Sequence, residues 1–81
     1  MPEWVTYMVR CADDSLYTGI ATDVERRLHE HNHKRNAAAY TRSRRPVQLV
    51  YQESFRTRAE AARREYVIRT LPKAEKEKLI E

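Results

Sequence analysis

Six residues of this 81-residue chain are of types that carry chemistry, and their spacing groups them: Tyr7, Tyr17, Gly19, Arg27, His31 and Glu65. Tyr7 and Tyr17 stand ten positions apart on two segments that read as the strands of a hairpin. Gly19, the only glycine, follows Tyr17 by two. Arg27 and His31 are one helical turn apart, on the core-side flank of a helix. A guanidinium and an imidazole leaning toward a core are costly unless they have partners. Glu65 falls at helical spacing with Ala61, Ile68 and Pro72, which puts a carboxylate among sheet-facing residues. The small Ala62 beside it leaves room for a ligand.

Local signals define the elements that must position these groups. Residues 4–11 are rich in β-branched and aromatic types, with Val5, Tyr7, Val9 and Cys11 alternating along one face. Ala12-Asp13-Asp14-Ser15 is a turn, because Asp and Ser side chains bond nearby backbone. Residues 16–20 are the second strand. Thr22-Asp23-Val24-Glu25 has the spacing of a capping box and predicts a helix with Val24, Leu28 and His31 on one face, ending near residues 31–33. Residues 33–46 have no period and read as a loop closed by Pro46. Residues 47–53 predict a third strand with Val47, Leu49 and Tyr51 on one face. A second capping box, Thr57 to Glu60, opens a helix to about Leu71, with Val67 and Leu71 as a further apolar sector. Residues 73–80 form a short end helix after Pro72. The order β-β-α-β-α-α predicts an α+β fold: a small three-stranded antiparallel-type sheet flanked by helices, as one domain over residues 1–81. At this size the core is thin, so an active site should be a surface groove.

Composition excludes several classes. The chain is 41% hydrophobic and 35% charged, which argues against disorder. No run is long and apolar enough for a membrane span, and the start lacks the order of a secretory signal. With Cys11 as the only cysteine there is no intramolecular disulfide and no thiolate cluster. These features predict a cytoplasmic protein. The net charge is +4, but it is concentrated. Residues 31–52 contain no carboxylate and carry Lys34, Arg35, Arg42, Arg44 and Arg45, a local +5 that leaves the remaining residues at −1. Tyr40 and Tyr51 flank its second half, and Asn32, Asn36, Thr41 and Ser43 add neutral hydrogen-bonding groups. Arginines suit bidentate contact with phosphate, so this loop predicts nucleic-acid binding rather than a merely solvated surface.

Other features read more plainly. His29, His31 and His33 resemble a metal tract, but a spacing of two on a helix turns side chains about 200° apart. Cys11 reads as a small buried hydrophobe. Asp13 and Asp14 are turn formers. Lys73 and Lys78 pair with neighbouring acids, while Lys76 is the lysine assigned to DNA.

Thr6-Tyr7-Met8, the stretch Leu16 to Arg27 with Tyr17-Thr18-Gly19, then His31 and Glu65 resemble the GIY-YIG nuclease superfamily, in its small single-domain bacterial YhbQ-like group. Tyr40-Thr41-Arg42, Arg45-Pro46-Val47, Arg64-Glu65-Tyr66 and the Lys73–Ile80 tail add to the likeness. The chain departs from the family pattern at Val5 and Thr6, where the first two positions of the GIY triplet fall, and in the loop before Tyr40. The resemblance implies divalent-metal-dependent hydrolysis of phosphodiester bonds in DNA. It implies Glu65 as anchor of one Mg²⁺ or Mn²⁺ and Tyr17 as general base, with His31 as the alternative base. Arg27 would hold the scissile phosphate, Tyr7 would position phosphate or water, and Gly19 would permit close approach of the substrate. The DNA-binding residues are then Gly19, Lys34, Arg35, Tyr40, Arg42, Arg44, Arg45 and Lys76. An 81-residue surface has little room for base readout, so single-stranded or structured DNA is the expected substrate. The alternatives are a DNA- or RNA-binding module without cleavage, or a small interaction protein.

Overall fold

The computed structural model describes residues 3–35 and 38–80; Asn36 of the basic segment lies outside them. Strands β1 (Trp4–Arg10), β2 (Leu16–Ala21) and β3 (Gln48–Phe55) form one antiparallel sheet in the order β2-β1-β3. The helices are α1 (Val24–His33), α2 (Ala39–Arg42), α3 (Arg58–Arg69) and α4 (Lys73–Ile80). The expected order stands, with the one-turn α2 added inside the segment read as a loop. That helix has no side-chain N-cap, so no local signal announces it.

The hairpin forms because the turn binds itself. Asp13 accepts hydrogen bonds from the Ser15 amide at 3.1 Å and the Ser15 hydroxyl at 2.5 Å. Asp14 adopts a left-handed φ of 69°, which Asp tolerates better than most residues. The resulting register sets Tyr7 opposite Gly19 and Val9 opposite Tyr17.

β1 is the middle strand and is buried on both faces from Thr6 to Val9. On one face Tyr7, Val9 and Cys11 pack with Val47, Leu49 and the α1 residues Val24 and Leu28. On the other, α3 lies against the sheet through Ala61 and Ile68, both fully buried. The Thr6 hydroxyl donates to the Ala61 carbonyl at 2.8 Å, tying strand to helix. Of the second apolar sector expected here, Val67 is exposed and Leu71 is half-buried.

Two local expectations are corrected. The N-cap of α1 is Asp23, not Thr22: its carboxylate accepts from the Arg26 amide at 3.0 Å. Asp caps as well as Thr and adds a negative charge where the helix dipole favours it. The second capping box does form, with Thr57 and Glu60 each accepting from the other's amide at 3.2 Å. On β3, a bulge breaks the predicted face. Tyr51 pairs with Met8 while Leu49 pairs with Val9, so Val50 is the extra residue. Leu49 keeps the α1 face, and Tyr51 moves to the α3 face. There the Tyr51 hydroxyl donates to Glu53 at 2.6 Å, and Arg64 of α3 donates to the same carboxylate at 3.0 Å.

α4 closes the far end of the sheet through charge. Arg10 makes a two-pronged contact with Glu77 at 2.6 and 2.8 Å, and Lys73 reaches Asp14 at 3.3 Å and Glu77 at 3.1 Å. Lys78 pairs with Glu75 at 3.3 Å. Among the described residues, no helix is long and apolar enough to cross a membrane.

Candidate active site

β2 has a partner on one side only, and a groove of about 430 Å³ lies astride its open edge. The alternation of the strand explains its two walls. Tyr17 and Gly19 point to the α1 side with Tyr7 and Arg27. Thr18 and Ile20 point to the α3 side, where Arg58, Ala62, Glu65 and Arg69 complete the lining. Those four α3 residues follow a 4-3-4 spacing, one stripe of the helix next to the buried Ala61 and Ile68. The groove therefore brings together Tyr7, Tyr17, Gly19, Arg27 and Glu65. It adds Arg58 and Arg69, seven positions before and four after Glu65 on α3. Their spacing along α3 was the available signal.

Tyr7 crosses over Gly19. A Cβ on Gly19 would stand 2.6 Å from the Tyr7 hydroxyl oxygen and 2.8 Å from its ring carbon Cζ. Gly19 has no positive φ, so space rather than backbone conformation requires glycine here. The Tyr7 hydroxyl then meets His31 Nε2 at 2.8 Å. His31 lies behind Tyr7 and is fully buried, not on the groove wall. Its Nδ1 is 2.8 Å from the Thr41 hydroxyl, which itself donates to the Ala38 carbonyl at 3.0 Å. That last bond fixes the directions. Thr41 must accept from Nδ1–H, so Nε2 carries a lone pair and accepts from Tyr7. Tyr7 spends its proton inward and turns oxygen lone pairs toward the groove.

The electrostatics agree. Burial, reinforced by the Arg27 charge, pushes His31 down from 6.5 to about 4, so the ring is neutral at pH 7. Burial pushes Tyr7 up to about 12, opposed by the nearby Arg27 guanidinium. Tyr7 is thus a fixed, protonated phenol. Arg27 is further steadied by Glu30 at 3.1 Å. Tyr17 is half-buried, packs edge-on to His31 with ring centres 5.3 Å apart, and stacks on Tyr40 at 5.9 Å. Its hydroxyl has no hydrogen-bond partner among the described residues.

Glu65 is held by Arg69 at 3.2 Å, with its side chain 21% exposed. One carboxylate in a groove with space for water suits a Mg²⁺-type cation. Such ions commonly take one or two protein carboxylates, several waters and substrate oxygens. No group of three or more His, Cys, Asp or Glu suited to a metal exists among the described residues, so the donor set fits that pattern and not a protein cage.

Three arginines of the basic segment bond to the chain's own groups, Arg44 and Arg45 half-buried and Arg42 exposed. Arg45 Nε donates to the His31 carbonyl at 2.5 Å, and its Nη2 donates to the carbonyls of both Glu30 and Lys34. It satisfies the C-terminal end of α1, where a cation also suits the helix dipole. Arg44 pairs with Asp13 at 3.0 Å, donates to the Tyr40 carbonyl at 2.8 Å and lies 3.8 Å over the Tyr40 ring. Arg42 donates to the Arg35 carbonyl at 2.7 Å. Asn32 clamps the Val47 backbone at 2.7 and 3.0 Å. Lys34 and Arg35 are exposed. Lys76 lines a neighbouring cleft with Tyr40.

A family model described as the GIY-YIG catalytic domain matches residues 3–78. The UPF0213 protein DP2720 of Desulfotalea psychrophila is 53% identical over 79 residues, covering 98% of this chain and 72% of that one. The UPF0213 protein SSP2268 of Staphylococcus saprophyticus is 52% identical over 80 residues, covering 99% and 96%. Among solved structures, the solution NMR structure of the UPF0213 protein BH0048 from Bacillus halodurans aligns with a TM-score of 0.61 at 40% identity, over 96% of this chain and 82% of that one. With the groove residues falling on the motifs that first suggested it, the chain belongs to the GIY-YIG catalytic domain family, alongside small bacterial UPF0213 proteins.

Proposed function

We propose that this protein is a divalent-metal-dependent DNA endonuclease that cuts single-stranded or structured DNA with little sequence preference. The observation that carries this reading is the groove astride β2, where Tyr17, Arg27 and Glu65 converge while Tyr7 is locked behind them by His31 and Thr41. Glu65 would hold one Mg²⁺ or Mn²⁺, which when bound supplies Lewis-acid stabilisation of the phosphate and the leaving oxygen.

The chain's own residues do the rest. Arg27 binds the scissile phosphate and the charge it gains in the transition state. Tyr17, as general base, takes the proton of the attacking water while the bond from phosphorus to the 3′ oxygen breaks, leaving a 5′ phosphate. Tyr7 accepts a hydrogen bond in the groove and orients water or Arg27. His31, neutral and buried, is a positioning residue for Tyr7. Arg58 and Arg69 of the groove, with Lys76 beside it, hold flanking phosphates, and Lys34 and Arg35 extend the cationic surface. Tyr40, Arg42, Arg44 and Arg45 serve DNA binding chiefly by holding the loop and the Tyr17 ring.

The test is a labelled DNA panel with Mg²⁺, Mn²⁺ or EDTA. Cleavage that requires metal and is lost in Tyr17→Phe, Arg27→Ala and Glu65→Gln supports the reading. Undiminished cleavage by all three variants marks a contaminant and overturns it. Tight DNA binding with no cleavage in any metal would reassign the protein as a binding module.

A further inference from the structure

A second cleft, of about 360 Å³, opens from the end of the groove. Leu16, Tyr17, Thr18, Tyr40, Arg69 and Lys76 line it, so it shares Tyr17, Thr18 and Arg69 with the candidate active site. Its character differs from the groove. No carboxylate lines it. Its surfaces are a leucine and two tyrosines stacked at 5.9 Å with planes 26° apart, and Arg44 over the Tyr40 ring holds that stack in place. Two cations stand along it. A phosphodiester chain leaving the groove meets Arg69 first and Lys76 next.

Thr18 belongs to the wall that groove and cleft share. The residue is 8% exposed, and its hydroxyl is the one buried side-chain polar atom among the described residues with no hydrogen-bond partner. The outer edge of β2, which runs beside the cleft, also presents backbone N–H and C=O groups at every second residue.

We propose that this cleft is a nucleobase subsite. It receives the base of the nucleotide next to the phosphate held in the groove, with Leu16 and the Tyr17–Tyr40 stack against the base and Arg69 and Lys76 for the flanking phosphates. The substrate strand is therefore unpaired and unstacked at that nucleotide, which a continuous duplex cannot supply without flipping the base. The inference rests on the reading that the groove holds a phosphodiester, but not on cleavage.

The test uses the full chain, ¹⁵N-labelled, in EDTA. It is titrated by NMR with a thymidine hexanucleotide, with the same backbone bearing abasic residues, and with a duplex of equal length. The base-bearing strand should shift the amides of Leu16, Thr18 and Lys76. The abasic strand should bind about tenfold more weakly and shift only amides near Arg27 and Arg58. Equal shifts of Leu16, Thr18 and Lys76 with both strands, no shifts with either, or a duplex matching the single strand would overturn the subsite. Tyr40→Leu, which removes the aromatic face of the cleft, should weaken the base-bearing strand alone. Equal weakening of both strands would also overturn it. If no metal supports cleavage while this binding pattern persists, the nuclease reading fails and the base subsite stands.

Discussion

The two walls of the groove are built in opposite ways. The α1 wall is a buried chain of hydrogen bonds, from Tyr7 through His31 and Thr41 to the Ala38 carbonyl, with Arg27 leaning on its outer end. The α3 wall is a stripe of one helix, Arg58, Ala62, Glu65 and Arg69, whose charged groups meet each other or solvent. The first wall is preorganised: its donors and acceptors are already paired, and moving one disturbs a core. The second is adaptable, since a cation at Glu65 need only displace the Arg69 guanidinium. Variants of the α1 wall should therefore lose stability and activity together, and variants of the α3 wall activity alone.

Glu65→Gln is the strongest test of that contrast. Activity should fall about 10³-fold, corresponding to several kcal/mol of transition-state stabilisation, while urea unfolding moves by less than about 1 kcal/mol. A large loss of stability would make Glu65 a structural residue.

On the other wall, His31 should make folding sensitive to acid. Its folded value lies near 4 against 6.5 unfolded, so the unfolded chain binds the extra proton. Stability is then full above pH 6.5 and falls as the pH drops toward 4, by about 3 kcal/mol in all. Glu77, held down to about 2 by Arg10 and Lys73, loses its contribution only below pH 4.5, so the two windows separate. Urea melts of His31→Gln should be nearly flat between pH 6.5 and 4.5. A wild-type slope surviving in that variant would assign the effect elsewhere.

Gly19→Ala adds a methyl group under the Tyr7 ring. About 1–3 kcal/mol of stability should go, with activity, because the ring is pinned by His31 and cannot swing aside cheaply. Thr41→Val leaves His31 Nδ1–H without an acceptor, at about 1–3 kcal/mol. It should lower kcat more than raise KM, and Thr41→Ser should restore it. The smallest effect is expected of Arg69→Ala. Freed of its partner, Glu65 should reach half-maximal activity at a severalfold lower Mg²⁺ concentration, with no change in melting temperature.

What the sequence disclosed follows the range of each interaction. The hairpin turn, the Thr57 cap and the alternation of β1 are local, and all were legible. The groove residues were legible as a set because the family motif spans both strands and both helices. Three features were not. The Val50 bulge depends on how β3 registers against a strand 40 residues earlier, which periodicity within β3 does not contain. α2 is a single turn without a cap, too short to show a period. The engagement of Arg42, Arg44 and Arg45 with the chain itself escapes a charge count, because their partners are mostly backbone carbonyls, which every residue carries. A run of cations without acids reads the same whether it faces phosphate or the end of its own helix.

The open edge of β2 has a consequence for self-association. An unpaired edge strand is a template on which a second chain can add. In this molecule that same edge is the floor of the groove, and Arg27, Arg58 and Arg69 line it. A second copy pairing along that edge would occlude the groove, so the edge cannot serve a substrate and a neighbouring strand at once.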